Sequence, residues 1–165
     1  LTLMIMTHVT LLMEWHCYQV LSERTFTTFG DIGKIVTDII KNRFSLNLGN
    51  GEVAVVFDRY DNEFSLKQGE RLRRGNTLAS NQTQQILSHR KVLNFRKFMK
   101  SCDNKAGLAL FVSLHLEEAL PQSLQIEQSV IISGGYADGS ITKKVTVEGV
   151  SISEAMRCNH EEADT

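Results

Sequence analysis

One stretch constrains this chain more than any other: Val53 to Asn76, VAVVFDRYDNEFSLKQGERLRRGN. It opens with Val53, Ala54, Val55, Val56 and Phe57, a continuous apolar run of the kind found in a parallel strand covered on both faces. The run stops at Asp58. A carboxylate at the carboxyl end of a central parallel strand stands at the rim where open α/β sheets place their ligands. Ser65 to Arg74 suits a helix, with Ser65 as its N-cap. Lys67 and Arg74 are seven apart, so two turns bring them to nearly the same face. An acid at a strand end, faced by two cations, suits a metal ion and a phosphate. Each piece also has a plainer use, since aspartate is a common turn former and a basic helix face is ordinarily solvated surface.

The segment FDRYDNEFSLKQGERLRR resembles one in flap endonucleases and their excision-repair relatives, the PIN-like nuclease superfamily. There a strand ends in a metal-binding aspartate, and after a short loop the pattern hydrophobic-Lys-x-Gly-Glu-x-x-Lys-Arg follows. Leu66, Lys67, Gly69, Glu70, Arg73 and Arg74 fall on that pattern, with Arg73 in place of its lysine and a loop two residues longer. The nearest likeness is to a divergent group in multi-copy, mobile-element-associated animal proteins that share the closing EEADT. The resemblance implies an α/β fold with a mainly parallel sheet flanked by helices. It also implies hydrolysis of phosphodiesters in DNA or RNA, with Mg²⁺ or Mn²⁺ as cofactor. In that scheme Asp58 holds metal, while Lys67 and Arg74 steady the phosphate in the transition state.

The rest of the chain sets bounds on this reading. Its 165 residues are one domain's worth, enough to bury a core. Cys17, Cys102 and Cys158 are too few and too scattered for a disulfide framework or a zinc site, which predicts reduced thiols in an intracellular protein, the nucleus included. Charge is segregated. Arg59 to Lys100 holds ten Lys/Arg against three Asp/Glu, whereas Lys105 to Thr165 holds four against nine. A basic middle and an acidic end fit a phosphate-tracking surface beside a metal-binding cluster.

Leu1 to Met6 reads as a first buried strand and Val9 to Tyr18 as a short helix beside it. No basic region precedes the apolar run, and His8, Glu14 and His16 interrupt it, which argues against a signal peptide or a membrane span. In the nuclease family the first strand also ends in a metal-binding aspartate. On this reading Thr7 and His8 hold that place, and neither replaces a carboxylate on a hard cation.

Between Thr25 and Leu46, Ile32, Ile35, Val36, Ile39 and Ile40 share one side at helical spacing. Asp31, Lys34, Asp38 and Lys41 take the other, and Thr28 is the expected N-cap. With the Val53 strand this makes a βαβ unit, and hence a parallel pair. Asn76 to Ser88 reads as loop. Val92, Phe95, Phe98 and Met99 mark an amphipathic helix whose outer face carries Arg90, Lys91, Arg96, Lys97 and Lys100. With Arg73, those five cations either clamp a nucleic-acid backbone or form a solvated face. Asp103 or Asn104 is expected to cap a further helix burying Leu108, Leu110, Phe111, Leu114 and Leu116, which ends before Pro121.

Ser129 to Ser133 reads as a strand, with turns at Gly134-Gly135 and Asp138-Gly139. Ile141 to Val147 then forms a hairpin with it. No phosphate-binding glycine loop and no nucleophile elbow occurs anywhere. At the end, Asn159 and Glu162 form a capping-box-like helix start. Glu162-Ala163-Asp164 resembles the acidic-x-acidic metal element of the nuclease family, although acids in a first helical turn also serve the macrodipole. A chain that opens on Leu and stops at Thr165 is expected to be a fragment or a decayed copy: a single, partial PIN-like domain over residues 1–165, incomplete at its C-terminus and impaired as an enzyme.

Overall fold

The computed structural model describes residues 8–12, 25–46, 51–57 and 85–153. Within them, a five-stranded sheet runs in the order β1-β2-β3-β4-β5. The strands are β1 (His8–Leu12), β2 (Gly51–Val56), β3 (Gln128–Ser133), β4 (Thr142–Thr146) and β5 (Gly149–Ile152). β1, β2 and β3 are mutually parallel, while β3–β4 and β4–β5 are antiparallel. The α/β class stands, and the expectation of a mainly parallel sheet is corrected to a mixed one. Val147 and Glu148 are the two residues that turn β4 back into β5, which gives the sheet an antiparallel edge strand.

The first strand lies later than expected. His8 to Leu12 pairs in parallel with Glu52 to Val56, so the start of the helix expected at Val9 to Tyr18 is strand instead. The β-branched Val9 and Thr10 fit it, and parallel pairing outweighs the weak local periodicity. Leu1 to Met6 lies outside the described residues.

α1 (Phe29–Leu46) forms where the spacing places it. The Thr28 hydroxyl accepts from the Asp31 amide at 3.3 Å, and the Asp31 carboxylate accepts from the Thr28 amide at 2.8 Å and the Thr27 amide at 3.1 Å. This is a reciprocal capping box with aspartate in the glutamate position. The amide of Thr28, then that of Thr27, holds the Asp31 carboxyl below its usual pKa. Ile32, Val36 and Ile40 are buried and Lys34, Asp38 and Lys41 are exposed.

The amphipathic helix expected around Val92 to Met99 shrinks to the single turn α2 (Phe95–Phe98), capped by Asn94. α3 (Cys102–Ala119) is capped by Ser101, earlier than the Asp103 or Asn104 expected. The Ser101 hydroxyl accepts from the Asn104 amide at 3.4 Å, while the Asn104 side chain donates to Phe98 O at 3.2 Å. Leu108 and Leu116 are buried as expected; Leu114 is half exposed, and Ala109, Val112 and Ser113 take the core positions instead.

Strands that advance in one direction with same-handed crossovers place their helices on one face of the sheet. α1 and α3 accordingly touch each other. A Cβ at Gly33 would come within 2.7 Å of His115 Cδ2, and the Phe29 and Phe111 rings lie 6.5 Å apart. Under this pair Val53, Val55, Val130, Ile132 and Val145 form one apolar layer with the buried faces of α1 and α3. β2 therefore is not apolar on both sides: Val53 and Val55 are buried, Ala54 and Val56 only partly. The other face of β2 starts with Glu52, which the apolar run had hidden. No helix among the described residues is long and apolar enough to cross a membrane.

Candidate functional site at the carboxyl end of the parallel strands

β2 lies between two parallel partners. Its ladder extends one residue further, where the Phe57 amide donates to Ser133 O at 2.9 Å. Asp58 is the next residue in the sequence. Asp58, Lys67, Arg73, Arg74, Glu162 and Asp164 all lie outside the described residues, so the structure neither gathers nor separates the acids and cations of the sequence analysis. Among the described residues no three His, Cys, Asp or Glu side chains form a metal-holding group.

The corrected first strand changes one part of that set. Leu12 pairs with Val56, and Asp58 stands two residues beyond Val56 in the sequence. Two beyond Leu12 stands Glu14. Thr7 and His8 therefore do not follow the strand; His8 begins it. The acid at the equivalent count along the sequence is a glutamate.

The described cations take a different form from the one expected. Arg90, Lys91, Arg96, Lys97 and Lys100 are all exposed, but only Arg96 and Lys97 belong to a helix. Arg90 and Lys91 lie on an irregular strap across the start of α1. The Phe29 amide donates to Arg90 O at 3.1 Å, the Gly30 amide to Ser88 O at 2.9 Å and the Val92 amide to Thr27 O at 2.9 Å. Lys91 and Thr28 form an isolated antiparallel bridge. The strap's carbonyls thus satisfy amides that a helix start leaves unpaired, which is why it is not itself helical. A ladder of rings anchors it from below: Phe26 to Phe95 at 5.1 Å, Phe95 to Phe98 at 6.2 Å and Phe98 to Phe29 at 5.2 Å. The Arg90 guanidinium also donates to Gln85 O at 3.0 Å. From Ile86 to Cys102 the sequence has no acid.

Topology puts the strap and the strand ends on one side. Helices that connect parallel strands run back against them, so the starts of α1 and α3 lie beyond the carboxyl ends of β1 and β2. Ser113 of α3 packs at Gly135, level with the end of β3. Residues 102–112 of α3 precede that point and span about 16 Å of helix at 1.5 Å per residue. The basic strap joins the top of this helix pair.

Beneath it sits a polar cluster that the sequence analysis missed. Lys143 Nζ lies 2.9 Å from both carboxylate oxygens of Glu117 and 4.6 Å from the centre of the Tyr136 ring. Burial, then the Glu117 carboxylate, holds the Tyr136 phenol well above its usual pKa. Its hydroxyl and that of Ser113 have no hydrogen-bond partner among the described residues. Glu117 neutralises Lys143, so this cluster supplies support rather than a free acid or base. The sequence signals it only through the Gly134-Gly135 pair, which by itself marks a turn.

Comparison with protein-family models, with curated proteins and with solved structures finds no match to this chain.

Proposed function

We propose that this chain is a PIN-like, metal-dependent nuclease domain that acts on DNA or RNA through the carboxyl rim of its parallel strands. The observation that carries the reading is the placement of β2. It is flanked on both sides by parallel strands, and Asp58 follows Phe57 in the sequence, on the carboxyl side of the sheet, where α/β folds bind their ligands. The metal would be Mg²⁺ or Mn²⁺, a hard cation that carboxylates suit. Asp58, Glu14, Glu162 and Asp164 would hold it, and Lys67 and Arg74 would steady the phosphate. The metal supplies polarisation of the phosphodiester and activation of water. Four carboxylates are few for two cations, so cleavage is expected to be slow.

The test is a Mn²⁺ titration by calorimetry on this chain and on Asp58→Ala, together with cleavage of labelled single-stranded and duplex substrates in Mg²⁺. The expected result is Mn²⁺ binding that Asp58→Ala abolishes. Binding that survives the substitution would sink the assignment of Asp58.

A second reading is favoured by the strap: a module that binds nucleic acid without cutting it. Lys91, Arg96, Lys97 and Lys100 are exposed in a stretch free of acids. Cations of this kind release counterions from a phosphate backbone, so affinity should fall steeply with salt and ignore chelators. Affinity that is flat in salt would remove this reading.

A further inference from the structure

The segment from Lys91 to Lys100 has two sides. Val92, Phe95, Phe98 and Met99 pack into the core, whereas Lys91, Leu93, Arg96, Lys97 and Lys100 are exposed. Its extended start alternates as a strand does, so Lys91 and Leu93 leave on one side and Val92 on the other. In the single turn of α2, Phe95 and Phe98 turn inward and Arg96 and Lys97 outward. The outer side therefore carries four cations and a leucine.

A lone exposed leucine is ordinary on a protein surface, but this one is held out. Leu93 is 86% exposed. On one side of it the Val92 amide donates to Thr27 O at 2.9 Å. On the other, the Asn94 side chain accepts from the Lys97 amide at 2.9 Å. Phe95 is braced in turn by the rings of Phe26 and Phe98, 5.1 and 6.2 Å away. Turning Leu93 inward would break one or more of these anchors.

The leucine decides which phosphate-bearing surface the cations fit. Against a nucleic-acid backbone it gains nothing, and the rings that could stack on a base, Phe95 and Phe98, pack into the core. A bilayer of anionic lipid suits both kinds of side chain. It offers phosphate at the depth of the charged groups and hydrocarbon just below for the leucine. The stems of Lys97 and Lys100 can lie along that boundary while their charges stay among the headgroups. From Ile86 to Cys102 no acid in the sequence opposes the approach.

We propose that this surface docks on an anionic lipid bilayer, with Leu93 entering the hydrocarbon boundary and Lys91, Arg96, Lys97 and Lys100 meeting lipid headgroups. The inference goes beyond both readings above and does not depend on a metal. It draws on the cations of the nucleic-acid reading, and Leu93 is the residue that separates the two.

The experiment is sedimentation of the full chain with vesicles of equal parts phosphatidylcholine and phosphatidylserine, with pure phosphatidylcholine vesicles and a labelled DNA duplex as the alternatives. The chain is expected to bind the mixed vesicles and not the phosphatidylcholine ones. Leu93→Ala should weaken that binding by about 10-fold, for the apolar area it withdraws. Leu93→Trp should hold or tighten it, because tryptophan favours the membrane interface. Lys97→Gln with Lys100→Gln should weaken it by about 25-fold, at about 5-fold for each charge. All three positions are exposed, so the variants are expected to keep the fold, which thermal melts would check. No binding to the mixed vesicles overturns the proposal. So does binding that follows the charges but ignores residue 93, which marks an electrostatic patch alone. Preference for the duplex, with an affinity that Leu93→Ala leaves unaltered, returns the surface to the nucleic-acid reading and overturns this one.

Discussion

The two faces of the sheet are stabilised by different physics. Toward the helices, Val53, Val55, Val130, Ile132 and Val145 are at most 1% exposed and contribute through area removed from water. On the opposite face the contacts are directional. Glu52 accepts from Ser129 Oγ and from Lys144 Nζ, each at 2.9 Å, and the Ser133 and Thr142 hydroxyls lie 2.9 Å apart. Ile131 is buried there without joining the apolar cluster under the helices. The difference shows how register is fixed. Lys143 and Lys144 are neighbours in β4, yet each has a carboxylate on its own side: Glu117 above, Glu52 below. A one-residue slip would exchange the faces, moving each lysine away from its partner.

The adjacent isoleucines of β3 give the largest test. Ile132→Ala, under the helices, is expected to cost about 3 to 4 kcal/mol in urea denaturation, and Ile131→Ala about 2 kcal/mol. Equal costs would break the distinction between the faces.

The adjacent lysines come next. Lys143→Met strands the Glu117 carboxylate at a site where both side chains are less than a quarter exposed, and should cost about 2 kcal/mol. Lys144 is 41% exposed and Glu52 keeps its bond from Ser129, so Lys144→Met should cost about 0.5 kcal/mol. A larger loss for Lys144 would mean that the opposite face depends on charge more than its exposure suggests.

Two titrations are expected to have smaller effects. Tyr136 has its folded pKa raised by burial and by Glu117, so the folded state keeps a proton that the unfolded state loses above about pH 10. Stability from this residue is complete below that pH and falls above it. In ultraviolet titration, one of the three tyrosines should ionise only as the chain unfolds, and Tyr136→Phe should remove that step. His115 is shifted the other way: burial lowers its folded pKa, opposed by Glu118 and aided by Lys34. Its unfolded form takes up a proton first, so stability declines as pH falls below about 6.5. His115→Leu should flatten that slope in thermal melts at pH 5 to 7, a window set by the ordinary histidine range.

Much of this architecture was legible before the fold. The periodicity of α1, its Thr28 cap, the β2 run and the β3–β4 hairpin follow from spacing and turn residues, which are local signals. Misreadings arose where a distant partner decides. Val9 to Leu12 is strand because β2 lies beside it, and the Arg90 to Lys91 stretch is a strap because the start of α1 needs its carbonyls. Ala54 and Val56 look as apolar as Val53 and Val55, and only Glu52 marks the more polar side of the strand. Asp58 is singled out by its place after an apolar run alone, and it lies outside the described residues. The close packing of Gly134, Gly135 and Ser113 against Phe57 was not legible, because it joins three segments far apart in sequence.

The strap also bears on the order of assembly. α1 has a local cap in Thr28 and Asp31, yet the amides of Phe29 and Gly30 are satisfied only by Arg90 and Ser88, residues that lie beyond β2 in the chain. The first long helix therefore begins folding with an unfinished end, and closing a long loop is what completes it. Contacts of such wide sequence separation slow folding. Mutations in the strap should accordingly change the folding rate only if that closure belongs to the transition state, which makes this exposed, basic segment a reporter of when the parallel half of the sheet comes together.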